Sequence, residues 1–150
     1  MSVSFYQIMY SESNEKFEKA NDSKSTPIYK LNSLSQGEYF RKHTKEKYGK
    51  EVYDFASDKN LVEENGLPPL STDFLEPESI LNDLNIYKRL LIDIKSEISS
   101  PLNELLSKEI KWWNLDIDRI NWIENEITEL EKVCNYAKDK NYLIKFACDY

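Results

Sequence analysis

Residues 115–150 read LDIDRINWIENEITELEKVCNYAKDKNYLIKFACDY, and the hydrophobic period changes inside that stretch. Up to Asp139 the residues Ile120, Ile123, Ile127, Leu130, Val133, Cys134 and Ala137 recur at three and four, the signature of one helix face. Past Asn141 the period drops to two. Tyr142, Ile144, Phe146 and Cys148 alternate with Leu143, Lys145 and Ala147, as on a strand. A helix over about 115–139 followed by a strand over 142–150 predicts an α+β fold, with Asn141 ending the helix in the left-handed conformation.

Working outward, a second long helix is predicted over about 77–97. Pro77 suits its first position, where the missing N–H is no loss. Ile80, Leu84, Tyr87, Leu91, Ile94 and Ile98 form the stripe, and Leu81, Leu90 and Ile92 widen it beyond half the circumference. Ser99-Ser100-Pro101 ends this helix and starts a shorter one with Leu102, Leu105, Leu106 and Ile110 inward. At the other end of the chain, residues 2–10 alternate with apolar groups on both faces, which predicts a strand buried on two sides. The N- and C-terminal strands then share one small sheet with the two long helices packed on it. The predicted core is Phe5, Ile8, Leu84, Leu91, Ile94, Ile123, Ile127, Leu130, Ile144 and Phe146.

The intervening segments read less distinctly. Ser11 to Asn14 are taken as the cap of a short helix carrying Phe17 and Ala20, and residues 21–26 as a polar loop. Pro27 to Leu31 read as a short edge strand. Ser35, with Glu38 three residues on, has a capping-box pattern for a helix over about 36–48 that Gly49 stops. Glu51 to Ala56 could add a turn with Val52 and Phe55 inward. Residues 60–77, with one Gly and three Pro, read as the longest irregular stretch and as a hinge.

The chain has 150 residues, enough for one domain spanning 1–150 with a core that needs no staple. It carries 27 Asp plus Glu against 20 Lys plus Arg, a net charge of −7, with 3 Gly, 2 Cys and 1 His. Residues 1–50 are mildly basic at +3, and residues 51–150 hold −10. Such an acidic body repels phosphate backbones and attracts basic proteins. The count of His and Cys leaves no zinc site, and three isolated Gly leave no phosphate loop. No cofactor is implied. MSVSFYQIMY lacks the cationic start and apolar core of a secretory signal, and no apolar run nears the ~20 residues of a membrane helix. With two thiols read as reduced, these features predict a cytoplasmic protein.

Few residues combine into chemistry. His43 would need Cys134 or Cys148 beside it to make a nucleophilic pair, and Cys134 falls on an apolar stripe where burial makes a thiol inert. Asp116, Asp118, Glu124 and Glu126 form the one dense acidic cluster, the basis of an alternative reading as a magnesium-dependent hydrolase or phosphodiesterase. Arg119 and Glu126 lie at the margin of the inner face of helix 115–139. Arg119 is expected to snorkel to the edge, with Glu126 solvated. A buried polar link that fixes helix register is the sharper alternative.

The stretch KWWNLDID, residues 111–118, is the best interface candidate. Adjacent Trp side chains on a helix diverge by about 100°, so Trp112 and Trp113 are not expected to enter the same core. An exposed Trp beside acids suits a binding hot spot. Trp112, Trp113, Asp116, Asp118 and Glu124 are the predicted partner-binding residues. In size, acidity and single-domain build, though in no motif, the chain resembles the small acidic proteins that neutralise bacterial toxins. That likeness implies a non-enzymatic module whose carboxylates mimic a substrate's phosphates in front of a basic protein partner. A dimerising structural or regulatory subunit is a further alternative, using helix 77–97 or 115–139.

Overall fold

Two strands from opposite ends of the sequence lie side by side at the centre of a four-stranded sheet. The computed structural model describes residues 4–14, 16–35, 37–49, 61–63, 74–99, 103–112 and 114–149. The strands are β1 (Ser4–Ser13), β2 (Lys16–Lys19), β3 (Leu61–Glu63) and β4 (Leu143–Asp149), in the order β2-β1-β4-β3. β1 is antiparallel to both β2 and β4, with Met9 opposite Ile144 and Gln7 opposite Phe146; β3 runs parallel to β4. Five helices complete the described fold: α1 (Tyr29–Ser35), α2 (Glu38–Tyr48), α3 (Pro77–Glu97), α4 (Glu104–Trp112) and α5 (Ile117–Asp139). The fold is α+β, with the N- and C-terminal strands in one sheet and the two long helices packed on it.

Period two puts alternate residues on opposite sheet faces, and both faces are covered. Met9, Ile144 and Phe146 join Leu84, Leu91, Ile94, Ile123, Ile127 and Leu130 in the main core. Ile8 and Tyr10 form a second cluster behind the sheet with Tyr6, Phe17 and Phe74. Phe74 stacks on Phe17 at 4.2 Å and meets Tyr10 edge-on at 5.0 Å. The predicted core residues are therefore buried, apart from Phe5, whose side chain lies outside the described set, as does that of Cys148.

Four expectations need correction. The residues after Ser11 do not open a helix: β1 runs on to Ser13, Asn14 takes a positive φ of 52°, and Lys16–Lys19 returns as β2. So short a segment gains more from cross-strand partners than from an isolated helical turn. Pro27 to Leu31 is not an edge strand, since α1 begins at Tyr29. Ile28, Leu31 and Leu34 recur at three and are all buried, a pattern that outweighs the β-propensity of Ile28 and Tyr29. Ser35 does not cap the next helix. It ends α1, and its hydroxyl donates to the Asn32 carbonyl at 2.6 Å, while Gly37 occupies the N-cap of α2. Within 60–77, Leu61–Glu63 is strand rather than loop, because β4 offers a free edge for parallel pairing. The expected turn at 51–56 and the remainder of the hinge before Phe74 lie outside the described residues.

On α3 the stripe is narrower than its composition implies. Ile92 is 65% exposed, and the buried Asp83 takes a place on the inner side. Gly49, at φ +70°, stops α2 as expected.

Candidate interaction surface

α4 and α5 meet at a tightly defined joint. Asn103 caps α4, its side-chain oxygen accepting from the N–H groups of Leu105 at 2.9 Å and Leu106 at 3.2 Å. The helix ends in a paired closure: the N–H of Leu115 reaches the Ile110 carbonyl at 2.8 Å and that of Asn114 the Lys111 carbonyl at 3.4 Å, with Asn114 left-handed at φ 49°. Leu115 is buried behind that turn. Asp116 then caps α5, its carboxylate accepting from the Arg119 N–H at 2.8 Å.

This joint separates the predicted partner-binding residues. Trp112 stands 79% exposed at the end of α4. Its spatial neighbours, however, are not the acids that follow it in sequence. It walls a groove of about 620 Å³ with Gly37, Glu38, Leu105, Lys108 and Lys111. Trp113 lies outside the described residues. Asp116 is committed to its cap. Glu124 forms an ion pair with Lys95 across to α3. Asp118 remains exposed in the first turn of α5, where it lines a different groove of about 480 Å³ with Asn121, Trp122, Asn125 and Glu129, opposite Thr26 and Pro27.

Trp122, which lies in the direction of Leu115 and Val133 and is not among the predicted partner-binding residues, is 55% exposed. The sequence pattern is mixed there: positions −4, +3 and +7 from it are Asp118, Asn125 and Glu129, whereas −7 and +11 are the buried Leu115 and Val133. The ammonium of Lys30 lies 5.3 Å from its ring centroid.

Glu126 is not solvated. It is 6% exposed, and its Oε1 accepts from the N–H groups of Lys30 at 2.7 Å and Leu31 at 3.1 Å. The polar link is real, but it joins α5 to the start of α1 rather than to Arg119. The residue before α1 is Ile28, which has no side-chain acceptor to offer, so a carboxylate from another helix supplies the cap. α4 repeats the device. Glu109, 8% exposed, accepts from the Tyr39 N–H at 2.8 Å at the start of α2, whose N-cap is Gly37. A Cβ on Gly37 would come within 2.7 Å of Glu109 Oε2 and 2.6 Å of the Phe40 ring, so the glycine is there for close approach. Burial pushes both carboxyls above their ordinary range, and the backbone N–H groups oppose that shift only in part.

Several other titratable groups are tied into the scaffold. His43 stacks on Tyr39 at 5.2 Å, with Nε2 3.5 Å from Asp93. Asp93 also accepts from Lys47 Nζ at 2.5 Å and from the Tyr48 hydroxyl at 3.3 Å. Burial works against its ionisation, yet these donors hold it below the usual carboxylate range. Cys134 is buried, and its thiol is pushed up to about 12, chiefly by desolvation. Among the described residues no group of three or more His, Cys, Asp or Glu is placed to hold a metal ion. Asp116, Glu124 and Glu126 have three separate engagements, and Asp118 lies exposed apart from them. Among the described residues no helix is long and apolar enough to cross a membrane. No family model matches the chain, and no curated protein and no solved structure matches it either.

Proposed function

We propose that the protein is a non-enzymatic binding module for a basic protein, and that its working face is the outer side of α5. The observation that carries this reading is Trp122, an indole held open to solvent on a helix whose neighbouring positions are Asp118, Asn121, Asn125 and Glu129. Exposed Trp with adjacent carboxylates and amides has the composition of a hot spot with a polar rim. The acid excess of residues 51–150 supports a basic partner, which such a field would steer into contact. The finer form of the proposal is an inhibitor that neutralises a basic bacterial toxin in the cytoplasm; the free, buried Cys134 supports a reducing location.

The test is affinity isolation of the tagged chain from its own cells at low salt, with Trp122→Ala as control. The expected result is one stoichiometric basic protein, depleted in the Trp122→Ala sample and released by salt. Recovery of no stoichiometric partner at low salt would refute the reading.

A further inference from the structure

We propose that the groove beside Trp122 receives an arginine side chain carried on an extended segment of the basic partner, with the guanidinium stacked on the indole and hydrogen-bonded to Asp118. The proposal rests on the binding-module reading and names the chemistry of its contact.

Three observations lead to arginine. First, the side chains that line the groove include Asp118 and Glu129 and no basic residue. Asp118 is exposed, and among the described residues no hydrogen bond or ion pair engages it. Among the described residues the ion pair of Glu129 is with the exposed Lys132, three residues on in the same helix, a contact that water and salt screen. Glu126 lines the groove too, but its carboxylate already accepts the α1 amides.

Second, the indole already holds a cation. The Lys30 ammonium at 5.3 Å shows that a ring face is reachable and electrostatically suited. Asp118 lies one helical turn before Trp122, so a group stacked on the ring can also reach its carboxylate. A planar guanidinium satisfies both, whereas an ammonium acts as a point charge.

Third, both walls are fixed in advance. The Thr26 N–H donates to Gln7 Oε1 at 2.8 Å, which anchors the loop wall to β1. The Glu126 contacts anchor α1 to the α5 wall. Asn121 and Asn125 present amides along the groove, suited to the backbone of an extended strand. Asp118 and Glu129 are separated along the helix axis by roughly 16 Å, which an extended segment of about five residues covers.

Lys30 makes the idea sharply testable, because its ammonium already lies over the Trp122 ring. The full chain is titrated with a blocked Arg-Gly-Gly-Gly-Arg peptide, its lysine form and its uncharged citrulline form. Binding is read from the indole and side-chain amide signals of Trp122, Asn121 and Asn125 in nitrogen-edited proton spectra. The arginine form should shift these signals, the lysine form should bind more weakly, and the citrulline form should leave them unmoved. Trp122→Ala and Asp118→Asn should each weaken binding about threefold or more, and Lys30→Met should strengthen it by about two- to fivefold. Thermal melts of each variant separate these effects from loss of fold.

Equal binding of the citrulline form, shifts confined to N–H signals outside the groove, or weakened binding in Lys30→Met would each overturn the proposal. The two readings fail differently. A stoichiometric partner whose affinity is unchanged by Trp122→Ala and Asp118→Asn overturns the arginine contact and leaves the module intact. Peptide binding at the groove, with no partner in the cell, supports the groove chemistry and refutes the module.

Discussion

Two glutamates do unusual work for their residue type, since Glu is almost never buried unless paired. Glu126 and Glu109 are each aimed at backbone N–H groups that start a helix on the other side of the fold. Such a group carries a proton-linked contribution whose sign is fixed. Its folded-state pKa is raised, so the stability it lends is full below the unfolded value of 4.5 and is lost as pH rises through the folded value. Glu126→Gln keeps an acceptor for Lys30 and Leu31 but removes the titration. Urea melts over the range above pH 4.5 should therefore show wild type losing stability relative to Glu126→Gln as pH rises. A constant difference between the two would mean that the carboxyl is not raised. Glu126→Ala orphans two amides instead, and should cost about 1–3 kcal/mol at any pH in that range. The place of Glu126 at the margin of the α5 inner face left solvation as the expectation, and its burial follows from the backbone amides it meets. Its partner was not readable, because Lys30 and Leu31 meet it across a fold whose α1 looked like a strand.

At the scale of elements, the long helices were the legible part. Their period of 3.6 persists over several turns, and local pattern and tertiary burial agree, as they do along α5. The short elements failed for the converse reason. β2, α1 and β3 have little internal pattern and are decided by what they touch: Phe74 for β2, Glu126 for α1, the edge of β4 for β3. The candidate site shows the same divide. Helix geometry separates Trp112 from Trp113 without choosing which is exposed, and the grouping of Asp118 with Trp122 stands out only once Asp116 and Glu124 are seen engaged elsewhere. Helix endings give a clean test. Asn141 is left-handed at φ 59°, and the Tyr142 N–H closes on the Ala137 carbonyl at 2.8 Å. Asn141→Ala should lower stability by about 1 kcal/mol, whereas Asn141→Gly should be neutral or slightly stabilising in the same melt. The reverse ranking would show that the side chain of Asn141, not its backbone, is what matters.

Across the whole molecule, the mildly basic first third is fastened onto a more acidic remainder. Lys47 and His43 of α2 meet Asp93 of α3, and the two glutamates hold α1 and α2 by their first turns. α1 and α2 bury Leu31, Leu34, Tyr39 and Phe40 in the core they share with α3, α5 and β4, but at 7 and 11 residues against 21 and 23 they are short and lean also on these polar contacts. Native-state hydrogen exchange should find α1 and α2 opening at lower free energy than α3 and α5. Glu126→Ala should accelerate exchange in α1 while leaving the α5 core near its wild-type protection; uniform acceleration would mean that the attachment is not separable. The sheet imposes a different kind of order, one of time. Its two central strands pair Ser4 with Asp149 and Tyr10 with Leu143. During synthesis β1 emerges first and must wait, with no neighbour but β2, until β4 has been made. The helices can collapse on one another while the ribosome is still at work, but closing the sheet is a late event that spans almost the whole chain and carries a large loop-closure entropy. In that interval the open edge of β1, with Ile8 and Met9 on its two faces, is the surface that a nascent-chain chaperone would have to shield.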